Sequence, residues 1–183
     1  MTRVGLLFVA FAVAVGLRLS LGQPDVATDI PAALAFAVAL LVVAAAAGTR
    51  VPLSRRAVLI GLAGLALVCA PVALEHLFTT RPVHGSQGFA GWAAAVVVVA
   101  TAEEVFLRGA LYDAAERVWG PSAAIVLGAV CFALLHVPLY GWHVLPLDLA
   151  VGLVLGGLRQ GAGTAAAPAI THVGADLVGW FLR

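Results

Sequence analysis

Apolar residues along this chain gather into long blocks separated by short polar or turn-forming stretches. The blocks are Val4–Leu21, Ile30–Gly48, Ala57–Phe78, Trp92–Tyr112, Pro121 to Leu135 or His136, Pro146–Leu158 and Thr164–Leu182. Most approach the ~20 residues that a helix needs to cross ~30 Å of hydrocarbon. Arg3 ahead of the first block gives it the look of a signal peptide. Arg18 interrupts that block late, no small-x-small cleavage site follows, and further blocks come after, so the expectation is a retained first helix. Pro71 predicts a kink in the third helix and Pro121 a helix start, while Pro138 is expected to end the fifth helix. Ala and Gly throughout favour close helix contacts of the small-xxx-small kind. The pattern predicts an all-α, polytopic transmembrane helix bundle of about seven spans, with six to eight as the range. Residues 1–183 form a single transmembrane domain without an internal repeat, and its chemistry falls in about 92–182.

Composition agrees: 63% of the residues are hydrophobic and 10% charged, which is not the make-up of a soluble globule. The net charge of +1 and the lack of a basic run give no reason to expect a nucleic-acid partner; the expected partner is the lipid bilayer. All ten basic residues are arginines, and Arg50, Arg55 and Arg56 make the densest basic loop. By the positive-inside rule that loop is cytoplasmic, which puts the N-terminus inside, Arg159 on the inner side and the C-terminus outside. Cys69 and Cys131 lie inside apolar blocks without CxxC spacing and read as small buried residues.

The charges within the apolar blocks carry the chemical information. Glu103, Glu104 and Arg108 follow the apolar run Trp92–Ala100 directly. A charge near mid-bilayer costs about 2.5–3.5 kcal/mol, so a cluster persists only when partnered, hydrated or used. On a helix Glu104 and Arg108 share a face at i,i+4, with the glutamate first, the favoured order for pairing. Glu103 points elsewhere, and the expectation is that it stays unpaired and available for proton transfer. Phe132 and His136 repeat the i,i+4 spacing in the fifth block, as do His172 and Asp176 in the seventh. A single histidine in an apolar helix is more often a packing residue than a catalyst, but here ionisable groups sit on three blocks and each must avoid lipid. One shared, hydrated interior cavity solves that for all of them. Such a cavity can serve as a protease site, a proton path or a binding pocket. A glutamate and a histidine with water between them are equipped for general-base hydrolysis, and a second histidine can donate to an oxyanion. Neither GxSxG nor HExxH occurs. Glu75 and His76 read as a hydrated helix end, Asp113, Glu116 and Arg117 as another, Arg81 and His84 as part of an outer loop, and Trp142, His143 and Trp180 as interfacial residues.

Taken in order, Glu103-Glu104-x-x-x-Arg108, Phe132-x-x-x-His136 and His172-x-x-x-Asp176 resemble the motifs of the CPBP intramembrane endopeptidases, which include type II CAAX prenyl proteases and Abi proteins. The resemblance covers residues 101–176. It implies that Glu103 and His136 activate the attacking water, that His172 and the residue four positions later stabilise the oxyanion, and that Glu104 and Arg108 support the site. It also implies a membrane-associated peptide or protein substrate; by the topology the charged cluster lies in the cytoplasmic half of its span, so the site is expected to open toward the cytoplasm. Asp176 departs from the usual asparagine, because an ionised carboxylate cannot donate to an oxyanion. Either Asp176 is protonated, or it accepts from His172 and keeps that ring cationic. No cofactor is expected, the alternative being zinc held by Glu103, His136 and His172. The rival readings are an aspartic protease using Asp113 and Asp176, a proton-coupled transporter, and a non-catalytic scaffold or bacteriocin-immunity protein.

Overall fold

Turn chemistry sets several helix boundaries. Asp29 precedes α2 (Ile30–Ala46) and accepts the Ala32 amide at 3.1 Å, with Pro31 in the first turn. Ser54 does the same for Ala57 at the start of α3 (Arg55–Phe78). Gly48 leaves α2 with a φ of 71°, a left-handed conformation that a glycine adopts without a Cβ penalty. The computed structural model describes residues 2–21, 29–78 and 88–182. Ahead of α2 lies α1 (Arg3–Leu21). After α3 come α4 (Phe89–Glu104), a π-helical segment (Val105–Leu111), α5 (Tyr112–Trp119), α6 (Pro121–Tyr140), a single 3₁₀ turn (Trp142–Val144), α7 (Leu145–Ala162) and α8 (Ala166–Leu182). No strand occurs among the described residues. Arg81, His84 and the His76 side chain lie outside them.

Among the described residues four stretches are long and apolar enough to cross a membrane: Arg3–Leu21, Phe89–Trp119, Pro121–Tyr140 and Trp142–Ala162. Ile30–Ala46 is apolar but only 17 residues long. The chain is an all-helical integral membrane protein.

Three boundaries move furthest from expectation. The helix of the fourth block runs on from Tyr112 to Trp119. The fifth helix does not end at Pro138 but runs on to Tyr140, where Gly141 turns the chain. The sixth extends to Ala162, beyond the predicted Leu158. A proline costs one backbone bond, which the flanking turns of an otherwise intact apolar helix tolerate.

The interior joins Leu7 and Phe11 of α1, Phe36 and Leu40 of α2, Val96 and Val99 of α4, Phe106 and Leu111 of the π segment, and Phe132 and Leu135 of α6. Phe11 stacks on Phe106 at 5.5 Å. At one end, Trp92 of α4 and Trp180 of α8 meet at 4.6 Å. The most extensive pairings are α6 on α7 and α3 on α8, and small residues make both possible. A Cβ at Gly152 would lie 2.8 Å from the Ala129 Cα, and one at Gly61 2.8 Å from the Ala167 carbonyl oxygen. Gly152→Val should therefore destabilise the bundle by about 1–3 kcal/mol, the usual cost of overpacking, read as a lower midpoint of thermal unfolding in detergent.

Candidate active site

The end of α4 delivers Glu103 and Glu104 to the interior, where they are 3% and 0% exposed. Arg108 follows in the π segment at 1% exposure, and its Nη1 donates to Glu104 Oε1 at 2.9 Å, the pairing expected from the spacing. Its Nη2 donates to the Gly152 carbonyl of α7 at 3.2 Å. The π register was not expected. It widens the helix between the glutamates and α5, and two contacts hold it in place. The Arg108 carbonyl accepts from Arg159 Nε at 2.8 Å, and Gly109 leaves room for Thr49, whose methyl would stand 2.6 Å from a Cβ there. Departures of this kind concentrate at functional sites.

His172 of α8 meets the same glutamate. Its Nδ1 lies 2.9 Å from Glu104 Oε1, a contact between residues 68 positions apart. A carboxylate only accepts, so Nδ1 carries the hydrogen, and Nε2 faces Asp176 Oδ2 at 3.6 Å. Thr171 fixes this part of α8 by donating to the Gly61 carbonyl of α3 at 2.8 Å. The Asp176 side chain is 40% exposed, so the row from Arg108 through Glu104 and His172 ends toward the outside.

Phe132 is the post around which the motifs assemble. The Arg108 guanidinium lies 4.8 Å from its ring centre, the His136 ring 4.5 Å away, and the His172 ring 5.3 Å away, edge-on. His136 Nδ1 sits 2.8 Å from the Phe132 carbonyl oxygen. That oxygen can only accept, so Nδ1 holds a hydrogen, and Nε2 is the nitrogen whose lone pair a neutral ring would offer. Glu104, Arg108, Phe132, His136, His172 and Asp176 are thus linked by direct contacts.

Glu103 departs from expectation, because it is not unpaired. Arg18 Nη1 of α1 lies 3.9 Å from its Oε1, and the Arg18 guanidinium sits over the Phe36 ring at 5.1 Å. Arg18 was read only as an interruption of an apolar block. Arg159 was likewise read only for topology, yet besides its bond to Arg108 it pairs with Asp113 at 2.7 Å. The two aspartates weighed as a catalytic pair therefore face different partners, Asp113 facing Arg159 and Asp176 facing His172.

A cavity of about 240 Å³ opens between α1 and α6, walled by Phe8, Phe11, Cys131 and Leu135 among others. Its walls are apolar and include none of the motif residues. Among the described residues no three His, Cys, Asp or Glu side chains group as a metal site requires. His172 Nδ1 is turned to Glu104, which leaves Nε2 as the ring nitrogen that a metal would take.

Residues 85–178 match the type II CAAX prenyl endopeptidase Rce1-like family. The chain belongs to that family. The match spans every motif residue from Glu103 to Asp176 and leaves α1 to α3 outside it. No curated protein and no solved structure matches. As a member of a CAAX-type endopeptidase family the chain is a membrane-embedded peptide-bond hydrolase, and the convergence on Phe132 joins motifs that the sequence holds far apart.

Proposed function

We propose that this endopeptidase cleaves peptide bonds of membrane-associated proteins or peptides with a water activated by Glu103 and His136. The observation that carries the reading is the Phe132 ring, in contact with Arg108, His136 and His172 at once. Glu103 takes a proton from the water as its oxygen attacks the scissile carbonyl carbon, and later returns the proton to the leaving amine. His136 offers the Nε2 lone pair as the second acceptor for that water. His172, held by Glu104, donates from Nε2 to the oxyanion, with Asp176 as the carboxylate that balances an imidazolium. That assignment leaves three cations, Arg18, Arg108 and His172, against three anions, Glu103, Glu104 and Asp176, as a low-dielectric interior favours. Glu104 and Arg108 position the other groups and do not react.

The apolar cavity between α1 and α6 suits the greasy part of such a substrate. In this reading the described rods, α1, α2, α3, the continuous α4-to-α5 helix, α6, α7 and α8, each cross the bilayer, with the N-terminus in the cytoplasm. The loop bearing Arg50, Arg55 and Arg56 is then cytoplasmic, and the site opens on the same side.

The test is purified protein in proteoliposomes, incubated with prenylated and unprenylated membrane-anchored peptides with and without a chelator, and read by mass spectrometry. Cleavage should survive chelation and be lost in His136→Ala; no cleavage of any anchored peptide would overturn the reading. Asp176→Asn separates the two roles open to that residue. Retained or raised activity is expected if only a hydrogen-bonding neighbour for His172 is needed, and complete loss would show that the carboxylate itself is required.

A further inference from the structure

We infer that Arg18 is a positioning residue for Glu103, so that α1 forms part of the catalytic apparatus although it lies outside the family-matching region. The inference rests on Glu103 being the base. The buried face of α1 consists of Val4, Leu7, Phe11, Ala14 and Arg18, recurring every three or four residues. The first four pack apolar surface, and an apolar residue at the fifth would complete the stripe at no electrostatic cost. An arginine that is 2% exposed in such a place persists because it is partnered or used. Its guanidinium rests on Phe36 of α2, which aims it, and its Nη1 stands 3.9 Å from Glu103 Oε1.

The two adjacent glutamates are thus told apart by their arginines. Arg108 grips Glu104 at 2.9 Å with a direct hydrogen bond, and Glu104 also takes His172 on the same oxygen. A carboxylate held so firmly is a fixture. Arg18 stands too far from Glu103 for a hydrogen bond, so it balances the charge and sets the direction of the carboxylate while leaving the oxygens able to accept a proton from water. Loss of this anchor should disorder the base without touching the substrate, and misplacement by about 1 Å can cost on the order of 10²-fold in rate.

The experiment compares Arg18→Met, Arg18→Gln and Arg18→Lys with wild type and Glu103→Gln, all purified in the same detergent and assayed per folded molecule on one anchored peptide. The methionine and glutamine variants should lose about 10- to 100-fold in kcat at unchanged KM, and lysine should restore most of it. If methionine at this position prevents folding, glutamine, which keeps donors but not charge, bears the same prediction. Wild-type kcat in either neutral variant, or a loss confined to KM, would overturn the inference. Should both neutral variants fail to fold, Arg18→Lys decides: a kcat reduced several-fold at wild-type KM is expected, and a kcat equal to that of wild type, or a loss confined to KM, would overturn the inference. Wild-type activity in Glu103→Gln would instead dismiss Glu103 as the base, a failure of the underlying reading that this comparison registers separately.

Discussion

Glu103→Gln should reduce peptide-bond hydrolysis by about 10²- to 10⁴-fold, the span that a well-placed general base contributes. The substitution keeps the size and most of the polarity of the side chain but removes its ability to take a proton. The fold should survive, because Glu103 meets Arg18 at 3.9 Å and not through a tight hydrogen bond. The measurement is kcat/KM on an anchored peptide, with thermal unfolding in the same detergent as control. A scaffold or immunity protein would keep its phenotype under this change. The same substitution at Glu104 should act differently, through the arrangement of His172 and Arg108 and hence through stability as well as rate.

The largest stability effect is expected at Glu104. Its Oε1 accepts from Arg108 Nη1 and His172 Nδ1, both at 2.9 Å, in a position with no solvent exposure. Glu104→Leu leaves the Arg108 guanidinium buried without its carboxylate, and removing one partner of a buried ion pair typically costs about 3–5 kcal/mol. The expected outcome is protein that fails to accumulate or unfolds at a clearly lower temperature. Replacing both members, Glu104→Leu with Arg108→Leu, should be less destabilising than Glu104→Leu alone, since no uncompensated charge is then left in the interior. A double variant worse than both singles would mean that Arg108 is needed chiefly for its bond to Gly152 and its contact with Phe132.

How much of this was legible in the sequence follows from the range of the forces involved. Long apolar blocks report helices directly, because membrane burial acts on every face and needs no knowledge of neighbours. The Glu104–Arg108 pair was legible for the same reason, being a contact within one helix. What escaped was non-local. The π register of Val105–Leu111 has no local signature and is held by Arg159 from α7 and Thr49 from the loop before α3. The meeting of His172 with Glu104, rather than with Asp176 alone, depends on how α8 docks on α4. Arg18 was visible as a charge in an apolar block, but its partner was not, and the premise that Glu103 stands alone was wrong for that reason. Pro138 misled because a proline weighs heavily in local reasoning, whereas α6 carries on to Tyr140.

The central claim, that Glu103 and His136 work on the same water, is tested most directly by a double-mutant cycle on the hydrolysis rate. Groups that act as one unit lose their effect together, so Glu103→Gln with His136→Ala should be about as slow as the slower single variant. Losses that multiply would show two independent contributions and contradict the account.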